Sequence, residues 1–312
     1  MKQIIRRTAA LLLTFIVVMS SPAAVTGAQF DFSPYPKMGV ILYEANSEEI
    51  LAEHLADETF YPASITKLLT VLTALDYLTL KDRMTVTAEE LALVEPDSSL
   101  ANLVEGEILS MEQLIYALLI PSGNDASKVI AVNAGRKILG DENAPVKDAY
   151  DAFVEQMNVK AKLIGMRNSH FTNSDGYDDP ENVTTPRDIL TLGLEARKVE
   201  VIAEAGSRSY KYVETNKKQH YWFSTNLFLT KNFSELPGYT GSRSGKNPYY
   251  DDRVTGLKTG YTDIGGRCFL MTAQGDNIDL VGIVMGVDAS NSSEIWNRCQ
   301  KLLNWVYDTF TY

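Results

Sequence analysis

Hydrophobic and polar positions alternate differently in three stretches of the chain. Met38 to Ala45 is apolar and β-branched, Asn46-Ser47 marks a turn, and a second run spans Ile50 to Tyr61, which predicts an antiparallel hairpin. Pro62-Ala63-Ser64 then opens a helix in which Ile65, Leu68, Leu69, Leu72 and Leu75 recur at helical spacing to about Leu80. Further helices are expected over Met111 to Leu119, Ala126 to Leu139, Ala149 to Leu163 and Pro186 to Leu194. Strand patterns return at Val254 to Thr259, Arg267 to Ala273 and Asp279 to Val287, and an amphipathic helix over Ser293 to Tyr307 follows. The stretch Leu236 to Asp252, rich in Gly, Tyr, Ser and Asn, reads as a long loop beside the sheet. Strands at both ends and helices between them imply an α+β fold: one antiparallel sheet built from both ends, covered by helices, with an all-α lobe.

The first 28 residues stand apart. Lys2, Arg6 and Arg7 precede an apolar run from Ala9 to Met19, and Pro22 precedes the small residues ending at Ala28. That order is a secretory signal peptide, cut after Ala28 or after Ala24; the alternative is an uncleaved anchor, for which the apolar run is short. The expectation is an exported protein acting at the cell envelope, with residues 29–312 as one domain. Composition is ordinary for a globular protein of 312 residues, with mean hydropathy −0.12. Twenty-nine Lys and Arg against 40 Asp and Glu give −11, which becomes −14 once the leader's three cations leave. Such a balance disfavours nucleic acid and docking on anionic lipid. Cys268 and Cys299 are read as two buried thiols rather than a disulfide framework. His54, His170 and His220 lack metal-ligand spacing and H-E-x-x-H is absent, so a zinc hydrolase is not expected.

The candidate chemistry lies in three short motifs. In Ser64-Ile65-Thr66-Lys67, positions i and i+3 share a helix face, which puts the Lys67 amine near the Ser64 hydroxyl. The free N–H groups at a helix N-terminus suit a developing oxyanion. Taken alone the motif is weak, since S-x-x-K turns up about once by chance in a chain this long. Ser122-Gly123-Asn124 follows an apolar helix and Pro121, and is equally a helix cap. Lys258-Thr259-Gly260 lies on an expected strand, where Gly permits close approach of a ligand and Lys-Thr suits a carboxylate; an edge strand with a protective lysine is the plain alternative.

S-x-x-K, S-x-N and K-T-G in this order form the set shared by penicillin-binding proteins and serine β-lactamases. The chain resembles the low-molecular-mass penicillin-binding proteins, the serine D-alanyl-D-alanine carboxypeptidases, from about Ile41 onward. The likeness includes Tyr61 to Thr70, Leu118 to Ala126, Phe153 to Leu163, Gly165 to Gly176, Thr185 to Ile189 and Gly256 to Thr262. The resemblance implies the β-lactamase/transpeptidase-like fold, a five-stranded sheet sandwiched by helices. It implies Ser64 as nucleophile and Lys67 as its base, with Lys258 as a second cation that helps keep Lys67 neutral. It further implies Ser122 as proton relay and Asn124 as holder of the substrate amide or of Lys67. Lys258 and Thr259 would bind the substrate's terminal carboxylate, with Gly260 beside them in the substrate-binding motif, and the N–H groups of Ser64 and Tyr261 would form the oxyanion hole. The implied partners are D-Ala-D-Ala stem peptides of peptidoglycan and, as covalent inhibitors, β-lactams, and the resemblance implies a reaction that needs no metal or organic cofactor.

Three departures from the relatives stand out. Asp97 occupies a place where they usually carry Gly, and Ile295 one where an Arg commonly helps bind the substrate carboxylate. Family members often continue into a β-rich domain and an amphipathic anchor, neither of which is expected here. A class A β-lactamase needs an E-x-x-L-N glutamate that the chain lacks; Glu155 to Asn158 belongs to a helix instead. Endopeptidase or transpeptidase action and an inactive wall-binding relative remain as alternatives. A Ser-His-Asp hydrolase is disfavoured, because the nucleophile-elbow look-alike Gly241 to Gly245 carries Arg243 at the serine position.

Overall fold

A computed structural model of the chain describes residues 29–288 and 290–310, so the expected signal peptide lies outside the described residues. In chain order, strands β1 (Gly39–Glu44) and β2 (Glu49–His54) lead into helix α1 (Thr66–Ala74). Strand β3 (Arg83–Thr85), helix α2 (Ala88–Leu91), strand β4 (Ile108–Ser110) and helices α3 (Met111–Leu119), α4 (Asn124–Leu139), α5 (Val146–Ile164), α6 (Pro186–Ala196) and α7 (Glu200–Ser207) follow. Strands β5 (Tyr210–Glu214) and β6 (Gln219–Phe223) form a hairpin. Strands β7 (Val254–Thr262), β8 (Gly266–Gly275) and β9 (Ile278–Val287) precede helix α8 (Glu294–Thr309).

The five-stranded antiparallel sheet has the order β2-β1-β9-β8-β7, so both ends of the chain build it, as the strand pattern implied. Successive side chains of a strand point to opposite faces. Ile41, Leu270 and Ile283 accordingly face the core shared with α1, α3 and α6, while Val40, Leu42, Phe269 and Leu280 face the core under α8. Helix α8 buries Ile295, Trp296, Cys299, Leu302, Leu303 and Val306, one stripe at helical spacing. Buried on both faces, β1 and β9 read as continuous apolar runs.

Local chemistry sets the helix ends. Ser110 accepts from Gln113 N while the Gln113 side chain accepts from Ser110 N, a reciprocal cap that starts α3. Thr185 caps α6 ahead of Pro186, whose missing N–H costs nothing in a first turn. Among the described residues no helix is long and apolar enough to cross a membrane.

Some boundaries differ from those the pattern suggests. The second strand stops at His54 rather than Tyr61, because Leu55 turns the backbone at φ +47° and leads into the Asp57–Arg187 ion pair. The first helix begins as a single 3-10 turn, Ala63–Ile65, and α1 ends at Ala74; Leu75 and Leu78 continue to pack from turns. Helix α7 and the β5–β6 hairpin were not expected. The hairpin fastens the segment that follows the Asp97 turn: Trp222 Nε1 donates to Ala101 O at 2.9 Å, and His220 pairs with buried Glu107 at 2.5 Å.

Candidate active site

Ser64 sits in the 3-10 turn that opens onto α1, and Lys67 follows one turn later. Lys67 is fully buried; its amine donates to Ser64 Oγ at 2.8 Å and to Asp175 O at 2.8 Å. Burial disfavours the charged amine and brings its pKa down to about 8. The Lys128 ammonium pushes the same way, while Asp175, Asp125 and Glu95 oppose it.

Between α3 and α4 the backbone turns sharply at Ser122, whose φ is +66°. This conformation, uncommon for a non-glycine residue, delivers the hydroxyl to Lys258, whose amine donates to Ser122 Oγ at 3.0 Å and to Thr259 O at 2.9 Å. Lys258 is 1% exposed, and burial followed by repulsion from Lys67 holds its pKa well below the usual lysine range. The repulsion falls on Lys258, and not, as the resemblance implied, on Lys67. The cation that chiefly acts on Lys67 is Lys128.

Asn124 is the first residue of α4. Its Nδ2 donates to Ser98 Oγ at 3.0 Å and its backbone N to Ser99 O at 2.7 Å. It therefore holds the 98–99 loop, and no hydrogen bond joins it to Lys67 in this structure. Next to it, Asp125 accepts from Ala101 N and Leu103 N at 2.9 and 3.0 Å. Asp97 adopts φ +63°, a left-handed turn that aspartate tolerates better than most side chains, and it lines the cleft.

Two glycines are dictated by space. A Cβ on Gly260 would fall 2.4 Å from Cys268 Sγ, 2.9 Å from Ala63 Cβ and 3.1 Å from Ser64 N, so only glycine lets the edge strand β7 lie against the nucleophile's turn. Gly176, at φ +81°, would place a Cβ 1.8 Å from Ala63 O. Thr259 Oγ1 lies 2.6 Å from Thr225 Oγ1, and Tyr261 donates its hydroxyl to Asp263 at 2.6 Å. Cys268 and Cys299 are both free and buried, with the Cys268 thiol pushed up to about 12 by burial.

Two hollows meet at Ser64. One is walled by Ser99, Ser122, Thr225, Thr259, Arg267 and Ile295; the other by Asp97, Ser98, Asn124, Asp178 and Asp263. Ser64, Lys67, Ser122, Asn124, Lys258, Thr259, Gly260 and Tyr261 thus converge on one cleft. Sequence reasoning missed Thr225 and Arg267 on its wall, and the buried Lys128–Asp175 ion pair at 2.8 Å behind it. Lys128 lies four residues after Asn124, one helical turn along the same face, which was the available signal.

The model of the D-alanyl-D-alanine carboxypeptidase family matches residues 37–289. D-alanyl-D-alanine carboxypeptidase DacF of Bacillus subtilis is 28% identical over 275 residues, 87% of this chain and 60% of that protein. DacC of Escherichia coli is 29% identical over 283 residues, 86% of this chain and 61% of that protein. The chain therefore spans about three fifths of the length of these relatives. A Streptomyces K15 DD-transpeptidase structure superposes with a TM-score of 0.74 at 22% identity, covering 86% of this chain and 97% of its own. The D-alanyl-D-alanine carboxypeptidase structure from Mycobacterium tuberculosis gives 0.67 at 23%, covering 87% and 91%. Both likenesses establish the fold, and with the match over residues 37–289 the chain belongs to the D-alanyl-D-alanine carboxypeptidase family.

Proposed function

We propose that this chain is a serine D-Ala-D-Ala carboxypeptidase that removes the terminal D-alanine from peptidoglycan stem peptides outside the cytoplasm. The observation that carries this reading is the 2.8 Å contact between Ser64 Oγ and an amine cut off from solvent. A lysine with a pKa near 8 is neutral in a useful fraction of molecules at neutral pH, and a neutral amine accepts a proton.

Ser64 Oγ attacks the carbonyl carbon of the penultimate D-alanine while Lys67 takes its proton. The negative oxygen that forms is held by the N–H groups of Ser64 and Tyr261, beside which Gly260 leaves room. Collapse breaks the C–N bond, and the proton that Lys67 took from Ser64 passes through Ser122 to the leaving amine, which restores neutral Lys67; Lys258 hydrogen-bonds the Ser122 hydroxyl. Water then attacks the Ser64 ester and gives its proton to Lys67, which returns it to Ser64 Oγ as the ester C–O bond breaks and the shortened peptide leaves. Asn124 steadies the 98–99 wall against which the peptide lies. A β-lactam presents an equivalent carbonyl, but its leaving amine stays tethered, so the acyl-enzyme should persist.

The test is the intact mass of the protein after mixing with benzylpenicillin, with Ser64→Ala as control, alongside D-alanine release from a diacyl-D-Ala-D-Ala peptide. A persistent one-to-one adduct lost in Ser64→Ala, together with D-alanine release, supports the reading. Consumption of penicillin without a lasting adduct would make the chain a β-lactamase. An adduct without D-alanine release would point to transfer onto another amine.

A further inference from the structure

Arg267 is the second residue of β8, opposite Tyr261 of β7. It enters the same hollow as Ser64, Ser122 and Thr259, with its guanidinium carbon 4.6 Å from the centre of the Tyr261 ring. Its Nε is buried and has no hydrogen-bond partner, and no carboxylate pairs with it among the described residues. Arg136, Arg187, Arg197, Arg208, Arg253 and Arg298 each contact an acid, whereas Arg267 combines a buried, unpartnered Nε with a place on the cleft wall. A guanidinium with unused donors is poorly matched to a partly dry cleft until an anion arrives.

The other cation near this wall is committed elsewhere. The Lys258 amine is spent on Ser122 Oγ and Thr259 O beneath the surface. Ile295 contributes only an apolar side chain to the wall, and the acids Asp97, Asp178 and Asp263 all lie in the other hollow. Charge across Ser64 therefore runs from negative on one side to positive at Arg267. A peptide that loses its last residue must carry its free carboxylate just beyond the scissile bond, on the leaving-group side.

We propose that Arg267 is the group that binds the C-terminal carboxylate of the substrate, presented from the sheet edge and steadied by the Tyr261 ring. This rests on the carboxypeptidase reading above, because that reaction defines where the carboxylate lies. Arg267 then discriminates free from capped peptide ends, and Thr259 and Thr225 add hydroxyl donors beside it.

The test compares wild type, Arg267→Ala and Arg267→Lys on a diacyl-D-Ala-D-Ala peptide and on its C-terminal amide, and in acylation by benzylpenicillin and its methyl ester. A charge-assisted hydrogen bond of the usual strength predicts a loss of roughly 10- to 100-fold in kcat/KM for the free acid in Arg267→Ala. The amide and methyl ester should be unaffected and Arg267→Lys should recover part of the loss. Equal losses on free and capped ligands, or none on either, would overturn the assignment. Arg267→Lys serves the same comparison should Arg267→Ala fail to fold. If wild type acylates with penicillin yet releases no D-alanine, the carboxypeptidase reading fails, and the acid-to-ester contrast in penicillin still judges Arg267.

Discussion

Lys128 pairs with Asp175 at 2.8 Å, and the carbonyl oxygen of that same aspartate accepts from Lys67 at 2.8 Å. One residue thus connects a buried ion pair to the amine that faces Ser64. The pair stabilises little by itself, since burying two charges offsets much of their attraction. Its effect falls instead on the charge state of Lys67: the Lys128 ammonium favours the neutral amine, and the Asp175 carboxylate opposes it.

Acylation by benzylpenicillin should follow the neutral form of Lys67. Its second-order rate is expected to rise almost tenfold per pH unit below about 8 and to level off above. Lys67→Ala should lower the plateau by roughly 100- to 10,000-fold while the far-ultraviolet spectrum stays native. A rate flat across that range in wild type would remove Lys67 from the role of base.

The ion pair supplies two predictions of opposite sign. Lys128→Met deletes the ammonium and leaves Asp175, Asp125 and Glu95 to favour charge on Lys67, so the limb of the profile should move to higher pH. Asp175→Asn removes a carboxylate, keeps the backbone carbonyl that binds Lys67, and should move the limb to lower pH. Each variant strands a buried charge and should lose about 3–5 kcal/mol of stability, so the profiles are recorded well below the melting temperatures. Displacement of both limbs in one direction would contradict the arrangement.

Asp125→Ala removes the acceptor of two backbone donors in the facing 98–103 segment, Ala101 N and Leu103 N, besides that of its own neighbour Ala126 N. Two orphaned buried N–H groups cost roughly 2–5 kcal/mol, measurable by urea unfolding. The 98–103 segment should loosen with them, and acylation should slow even though Asp125 touches no ligand.

Cys268 and Cys299 should resist a thiol reagent in the folded protein and both react after unfolding, since each is buried and its thiolate strongly disfavoured. Rapid native labelling at either position would mean that β8 or α8 opens readily.

Much of this was legible in the sequence where the deciding physics is local. The Ser64–Lys67 relationship follows from helical spacing alone, and the stripe from Ile295 to Val306 follows from the same period. Strands β7 to β9 declared themselves through β-branched runs. Arg267 did not, because only the register across the turn after Thr262 sets it opposite Tyr261 and into the cleft. Lys128 and Asp175 looked like an ordinary helix lysine and loop aspartate until α4 and the 174–178 loop met. The β5–β6 hairpin has the alternation of a strand pair, Tyr212 opposite Tyr221, yet sits within a stretch dominated by helices and loops.

The strand at the middle of the sheet comes after its four partners in the chain. Until β9 exists, β1–β2 and β7–β8 are separate hairpins, each with an open edge where β9 belongs. Ser64 and Lys67 follow the first hairpin and Lys258 and Gly260 lie in the second, and Ile278 to Val287 is the strand that joins the two hairpins into one sheet. A chain truncated ahead of Ile278 should therefore lack a joined sheet and form no penicillin adduct.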